Sequence, residues 1–176
     1  LGTGYAIGVP GGLGRSLGMT TDRSLLAVGT RSGEVRIYDV RTPPGTPSYR
    51  LVGHAGAITD LVFSRDQSRL ATADTTGQVR VWRLPTGDAI AVLETGPPAP
   101  GELGPRVGLS PPRGRLLYVT LGNGRVELRN GDNGDLFSSL GVGPNGSVAS
   151  GALGVGAVPF TNLTRPPGGL GESSGG

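Results

Sequence analysis

Two stretches of this chain say nearly the same thing. Ser32–Val40 reads SGEVRIYDV and Thr76–Leu84 reads TGQVRVWRL, about 44 residues later. Sliding the chain by that interval lays Thr20–Val40 over Ser64–Leu84 without a gap. Identities fall at Asp22/Asp66, Ser24/Ser68, Leu26/Leu70, Ala27/Ala71, Gly33/Gly77, Val35/Val79 and Arg36/Arg80. Conservative pairs fill the spaces between them: Glu34/Gln78, Ile37/Val81, Tyr38/Trp82 and Val40/Leu84. A weaker third copy, Ser110–Gly131, follows after about 47 residues and sets Leu117 on Leu70, Gly124 on Gly77, Val126 on Val79 and Leu128 on Val81; Arg129 stands where Trp82 stood. A repeat of this length means an array of similar units, each too small to bury its own faces.

Within a unit the pattern is β. Helical periodicity is nearly absent, and short runs of β-branched and aromatic residues are separated by Gly, Pro, Asp and Thr. The second copy divides into four strands, at Ile58–Ser64, Arg69–Ala73, Gln78–Leu84 and Ala89–Leu93. The period of two puts Val79 and Val81 on one face of the third strand and Arg80 and Trp82 on the other. SRDQS and DTTG supply turns, with Gly77 free to take positive φ, and LPTGD closes the last hairpin with Pro85 and Gly87. A small sheet buried on one face is marginal, whereas sheets stacked in a row bury both faces of each.

Composition narrows the chemistry. All 16 Lys+Arg residues are Arg, which excludes a Walker A loop, protein kinases and Schiff-base enzymes. Cysteine is absent and His54 is the only histidine, so thiolate catalysis, disulfides, Cys-based metal sites and multi-His sites fall away. No cofactor is expected. The net charge of +3 suggests nucleic acid, but the arginines are scattered singly among acids, as in GEVRIYDVR, and gather on no stripe with stacking aromatics. No apolar run of membrane-spanning length and no charged-then-apolar leader is visible, and an intracellular, cytoplasmic setting is expected. Much of the glycine, 34 residues in all, lies toward the two ends. The expected organisation is a Gly-rich leader over 1–12, repeats over 13–140 (about 13–52, 53–95 and 104–140), and a flexible tail rich in Gly, Pro and Ser over 141–176.

The second copy, GHAGAITDLVFSRDQSRLATADTTGQVRVWRLPTG at Gly53–Gly87, resembles a WD40 repeat: a Gly-His opening, an apolar strand ending Phe-Ser, then Leu-Ala, then Gly-x-Val-Arg-Val-Trp. The first copy matches in TTDRSLLAVGTRSGEVRIYDV and the third in outline. The resemblance implies an all-β fold of WD40-like propeller blades, four-stranded antiparallel sheets, about three of them in an incomplete ring. It also implies a hydrogen-bonded blade network, for which His54, Thr72 and Trp82 are present. Thr76 stands where that network's Asp belongs, so the network is expected to be partial, and absent from the other two copies. Three blades cannot close a ring; two apolar faces would be left for further blades of a larger propeller or for self-association.

Other motifs are weaker. Gly14–Gly18, GRSLG, fits a nucleophile elbow, but a strand pattern follows the Ser and the single His comes too soon after it. GTGYAIG and GVPGGLG lack the spacing and the following helix of a dinucleotide loop. Asp132–Asp135, DNGD, reads as a turn, and Asn145 and Asn162 open glycosylation acceptor patterns without a secretory signal.

The resemblance implies a non-catalytic scaffold for protein–protein interaction or complex assembly. Partners are expected on the face carrying the turn after the second strand and the start of the first, where Arg31, Ala57, Thr59 and Thr75 lie. The alternatives are a nucleic-acid-associated module using the dispersed Arg, and a propeller-borne hydrolase whose activity would depend on Asp60, Asp66 or Asp74.

Overall fold

The computed structural model describes residues 14–42, 47–142 and 148–151. The leader over 1–12, the glycine clusters within it, residues 152–176, and both Asn145 and Asn162 lie outside the described residues. Among the described residues there is no helix. The first sheet holds β1 (Gly14–Met19), β2 (Leu25–Thr30), β3 (Val35–Asp39) and β4 (Tyr49–Leu51), antiparallel in that order. The second holds β5 (Ile58–Phe63), β6 (Arg69–Asp74), β7 (Gln78–Arg83) and β8 (Ala89–Glu94) in the same arrangement. The third holds β9 (Arg106–Leu109), β10 (Leu116–Thr120), β11 (Val126–Asn130) and β12 (Leu136–Val142), with β13 (Val148–Gly151) added beyond β12.

That fifth strand corrects the expected boundary at 140. β12 runs on to Val142, and β13 pairs Ser150 with Leu140 and Val148 with Val142. A strand added at a sheet edge needs only backbone hydrogen bonds, which Val148–Gly151 can supply without apolar alternation. The paired continuation lies at the outer edge of the third sheet and does not begin a fourth one.

The sheets stack through two apolar cores. Between the first and second lie Ala27, Val35, Ile37, Leu51, Ile58, Leu61, Leu70, Trp82 and Leu84. Between the second and third lie Ala71, Ala73, Val79, Val81, Ala91, Leu93, Leu117 and Val119. The second sheet is therefore buried on both faces, as the period of two along β6 and β7 requires. Gly18 makes the first interface close, because a Cβ there would run into the Leu61 side chain.

The identities Asp22/Asp66 and Ser24/Ser68 become a turn lock. Ser64 and Ser68 hydroxyls each donate to Asp66 Oδ1 at 2.8 Å, and the Ser68 N–H donates to the same oxygen at 3.2 Å. Thr20 (2.7 Å), the Ser24 hydroxyl (2.8 Å) and the Ser24 N–H (3.0 Å) do the same at Asp22 Oδ1. Each lock fixes the hairpin between the first two strands of its sheet, as short Asx and Ser/Thr motifs do. In the third copy Pro112 replaces the Asp, and its carbonyl instead accepts from the Asp66 N–H of the neighbouring sheet at 3.0 Å.

Candidate functional site

The best-ordered polar site lies in the second sheet, on the face toward the first. Thr72 and Asp74 share one side of β6 by parity, and Trp82 on β7 stands opposite Leu70. His54 precedes β5 and reaches over that face. Its Nδ1–H donates to Asp74 Oδ2 at 3.0 Å, its Nε2 meets Thr72 Oγ1 at 2.6 Å, and Trp82 Nε1–H donates to the same hydroxyl at 2.8 Å. These partners assign the protons. A carboxylate only accepts, so Nδ1 carries the imidazole hydrogen, and Nε2 accepts from the Thr72 hydroxyl while that oxygen accepts from the indole. Every polar atom of the buried chain is thereby used.

Asp74 is the member of this network that sequence reasoning missed. Thr76 does occupy the position where the resemblance puts the carboxylate, but Asp74, two residues earlier, supplies one. Its Oδ1 accepts from the Thr76 N–H (2.9 Å), the Thr76 hydroxyl (2.6 Å) and the Gln78 N–H (3.0 Å), and its Oδ2 also accepts from the Gly56 N–H at 3.2 Å. The network is complete, not partial. Two signals pointed to it: Asp74 has the parity of Thr72, and an Asp ahead of TTG is an Asx-turn signature. Burial would raise the Asp74 carboxyl, but the hydrogen bonds from Thr76, Gln78, Gly56 and His54 outweigh it and hold the group below the usual carboxylate range. Burial lowers His54, and the Asp74 hydrogen bond and charge only partly offset this, so the imidazole is neutral at pH 7. Arg80 completes the arrangement, with its guanidinium carbon 5.6 Å from the Trp82 ring centroid and against Gly53, where a Cβ would strike it.

In the first sheet Val28, Thr30 and Tyr38 stand where Thr72, Asp74 and Trp82 stand in the second; in the third, Val119, Leu121 and Arg129 do. Neither set can build the same chain of bonds.

The four residues expected to meet partners are placed differently from one another. Arg31 is exposed at the tip of the β2–β3 turn, whose backbone is held by Thr30 N–H to Glu34 O at 2.9 Å and Gly33 N–H to Thr30 O at 3.3 Å. Thr75 is exposed at the tip of the β6–β7 turn, and its hydroxyl accepts from the Ala57 N–H at 3.1 Å. Ala57 is buried, and Thr59 donates to the Pro105 carbonyl at 3.3 Å. The turns thus share one face, with Arg31 and Thr75 outermost. Asp60, Asp66 and Asp74 do not converge. Asp60 accepts from the Val107 N–H of the third sheet at 2.9 Å, Asp66 sits in its turn lock at the opposite end of the strands, and Asp74 is buried. Among the described residues no group of His, Cys, Asp and Glu is arranged to hold a metal ion, and no helix is long and apolar enough to cross a membrane.

A profile described as "WD domain, G-beta repeat" matches residues 45–83, the stretch that contains this network. Over those residues the chain is similar to a WD40 repeat. A bromodomain and WD repeat-containing protein of Dictyostelium discoideum is 37% identical over 103 residues, 57% of this chain and 5% of that protein. The target of rapamycin complex subunit LST8 of Saccharomyces cerevisiae is 35% identical over 66 residues, 38% of this chain and 22% of LST8. The chain thus spans under a quarter of either relative. Among solved structures, a chain of the mitotic checkpoint complex superposes with a TM-score of 0.59 at 21% identity, covering 70% of this chain and 38% of that one. The β-propeller domain of Cps50 (Swd1) from Myceliophteria thermophila gives 0.58 at 22%, covering 69% and 37%. These two likenesses concern the fold: the sheets described above are β-propeller blades, and three of them form an arc of a propeller.

Proposed function

We propose that this arc is a non-catalytic intracellular scaffold that binds other proteins through the turn face carrying Arg31 and Thr75. One observation carries the reading: Arg31 is exposed at the tip of a fully hydrogen-bonded turn and forms no ion pair with any described residue. A cation held out on a rigid turn has no ion pair to give up at the moment of binding and loses little backbone entropy. LST8, named as a subunit of the target of rapamycin complex, fits this role, although its partners belong to it. The buried carboxylates are all committed to structure, which leaves none for the hydrolase alternative. The dispersed arginines favour protein over nucleic acid, because Arg36, Arg41, Arg69 and Arg129 are each engaged by an acid of this chain.

The test compares wild type with Arg31→Ala and Thr75→Ala as immobilised baits, and follows recovered proteins quantitatively alongside each bait's melting temperature. Loss of the same proteins from both variants at unchanged melting temperature is expected. Full retention by both removes this face from the assignment. Recovery of nucleic acid that falls steeply with salt supports the alternative module instead.

A further inference from the structure

The two links that join the blades differ in length. β4 ends at Leu51 and β5 starts at Ile58, whereas β8 ends at Glu94 and β9 does not start until Arg106. The longer link is fastened at both ends. The Thr95 N–H and hydroxyl donate to the Gly77 carbonyl at 2.9 and 2.7 Å. At the far end a Cβ on Gly104 would strike Thr59, whose hydroxyl donates to the Pro105 carbonyl at 3.3 Å. Between these anchors every residue from 96 to 103 is exposed except Pro98, which is half-buried. The first link joins its blades without such an excursion. Loops held out on a rigid scaffold are where binding residues concentrate.

The excursion is shaped by its own residues, GPPAPGEL. The rings hold φ at Pro97, Pro98 and Pro100, and a residue that precedes proline is kept extended, which applies to Pro97 and Ala99. The Glu102 N–H donates to the Ala99 carbonyl at 2.9 Å, with Gly101 at φ 88°. That is a type II turn with Pro100 at its second position, where the backbone is still close to polyproline II. The Glu102 side chain closes the turn from the other side, its Oε2 accepting from the Ala99 N–H at 3.1 Å. Polyproline II repeats every three residues, so Pro97 and Pro100 share one edge, and both are exposed. Leu103, 69% exposed, lines one cleft with Pro97 and Pro98.

We propose that this excursion is a docking segment for a polyproline-reading protein module, whose groove of aromatic side chains receives Pro97 and Pro100. Two prolines three apart on a preformed extended edge are what such grooves take, and little entropy remains to be lost on binding. Charge narrows the partner. Glu94 and Glu102 are exposed on either side of the prolines, and the next cation, Arg106, lies beyond the Gly104–Pro105 anchor. The groove that fits therefore carries a basic rim. The inference goes beyond the reading of Arg31 and does not rest on it.

The experiment incubates the full 176-residue chain, fluorescently labelled, with an array of purified SH3, WW and EVH1 domains, and titrates each domain that captures it. Pro97→Ala and Pro100→Ala are made singly and together, and circular dichroism and melting temperature show that each stays folded. Capture by a subset of domains is expected, with the dissociation constant raised roughly tenfold or more in the double variant, as loss of a central anchor does. Glu102→Gln keeps the acceptor for Ala99 but removes the charge, and should make binding less sensitive to salt. Arg31→Ala is expected to bind these domains as the wild type does, so the two assignments fall separately. Capture of the wild type by no domain overturns the proposal. So does equal affinity for the wild type and the double variant, and an unchanged salt dependence in Glu102→Gln removes the basic rim.

Discussion

At the scale of single residues, the site turns on one neutral imidazole beside one buried carboxylate. The unfolded His54 binds its proton near the ordinary value of 6.5, and burial holds the folded one lower. Between those two values the unfolded chain carries the extra proton, so stability is full above about 6.5 and falls as pH drops below it. The slope is at most about 1.36 kcal/mol per pH unit for a single proton. Protonation also breaks the bonding pattern: Nε2 becomes a donor, and the Thr72 hydroxyl must turn to the Arg80 carbonyl, 3.4 Å away. Asp74 acts in a lower window, where its contribution is present above the ordinary carboxyl range and is lost as pH falls through its depressed folded value. We expect the urea midpoint of the wild type to drop between pH 7 and 5.5, and that of His54→Gln to start lower and stay flat. Parallel profiles would show that His54 carries no part of the pH dependence. Asp74→Ala should cost roughly 1–3 kcal/mol at neutral pH for each buried donor it strands, because it leaves the imidazole N–H, a hydroxyl and turn amides without their acceptor.

At the scale of elements, the strands were legible and the turn chemistry was legible only in part. Runs such as QVRVWR and RLATAD carry a period of two that no helix can use, and the structure's β6 and β7 keep those limits to within a residue. The same parity that separated Val79 from Trp82 could have placed Asp74 beside Thr72. The resembled repeat pattern sets its Asp at position 76, where this chain has Thr. Asp22 and Asp66 were visible as identities but silent as to role, because a serine-bracketed Asp can be a surface turn, a ligand or a lock until the backbone shows which amides it faces. β13 was hidden for another reason: VASG has no apolar alternation, and a strand added at an edge needs only backbone hydrogen bonds. The turn glycines offer the test at this scale. Alanine at Gly77 or Gly124 carries the same left-handed backbone penalty of about 1–2 kcal/mol, but only at Gly77 does the new methyl meet a backbone carbonyl of the next linker. Gly77→Ala should therefore lower the denaturation midpoint clearly more than Gly124→Ala. Equal losses would mean that the linker moves aside at no cost and that the close approach at Gly77 does not fix the blade spacing.

At the scale of the whole molecule, an arc of blades is a one-dimensional array whose stability is a sum of blade and interface contributions. Among the described residues the central blade has two interfaces and the complete His54–Thr72–Trp82–Asp74 chain; each outer blade has one interface and lacks that chain. Opening should therefore run from the ends inward, and amide exchange should read it out strand by strand. Protection is expected to rise from β10 and β11 to a maximum in β6 and β7, and to fall again toward β1 and β2. Asp74→Ala should erase that maximum, because β6 and β7 lose the bonds that tie them to the segment before β5. The inter-blade bonds set the pitch of the gradient: Asp60 to the Val107 N–H, Asp66 N–H to the Pro112 carbonyl, and the Arg69–Asp132 ion pair all join the second blade to the third. The first blade is joined to the second by apolar packing and through Gln67, which meets Ser24 at 3.4 Å and hydrogen-bonds Asp22. The first sheet should accordingly exchange faster than the third. Uniform rates across the three sheets would mean that the arc opens as a single cooperative unit and that its interfaces are stronger than its blades.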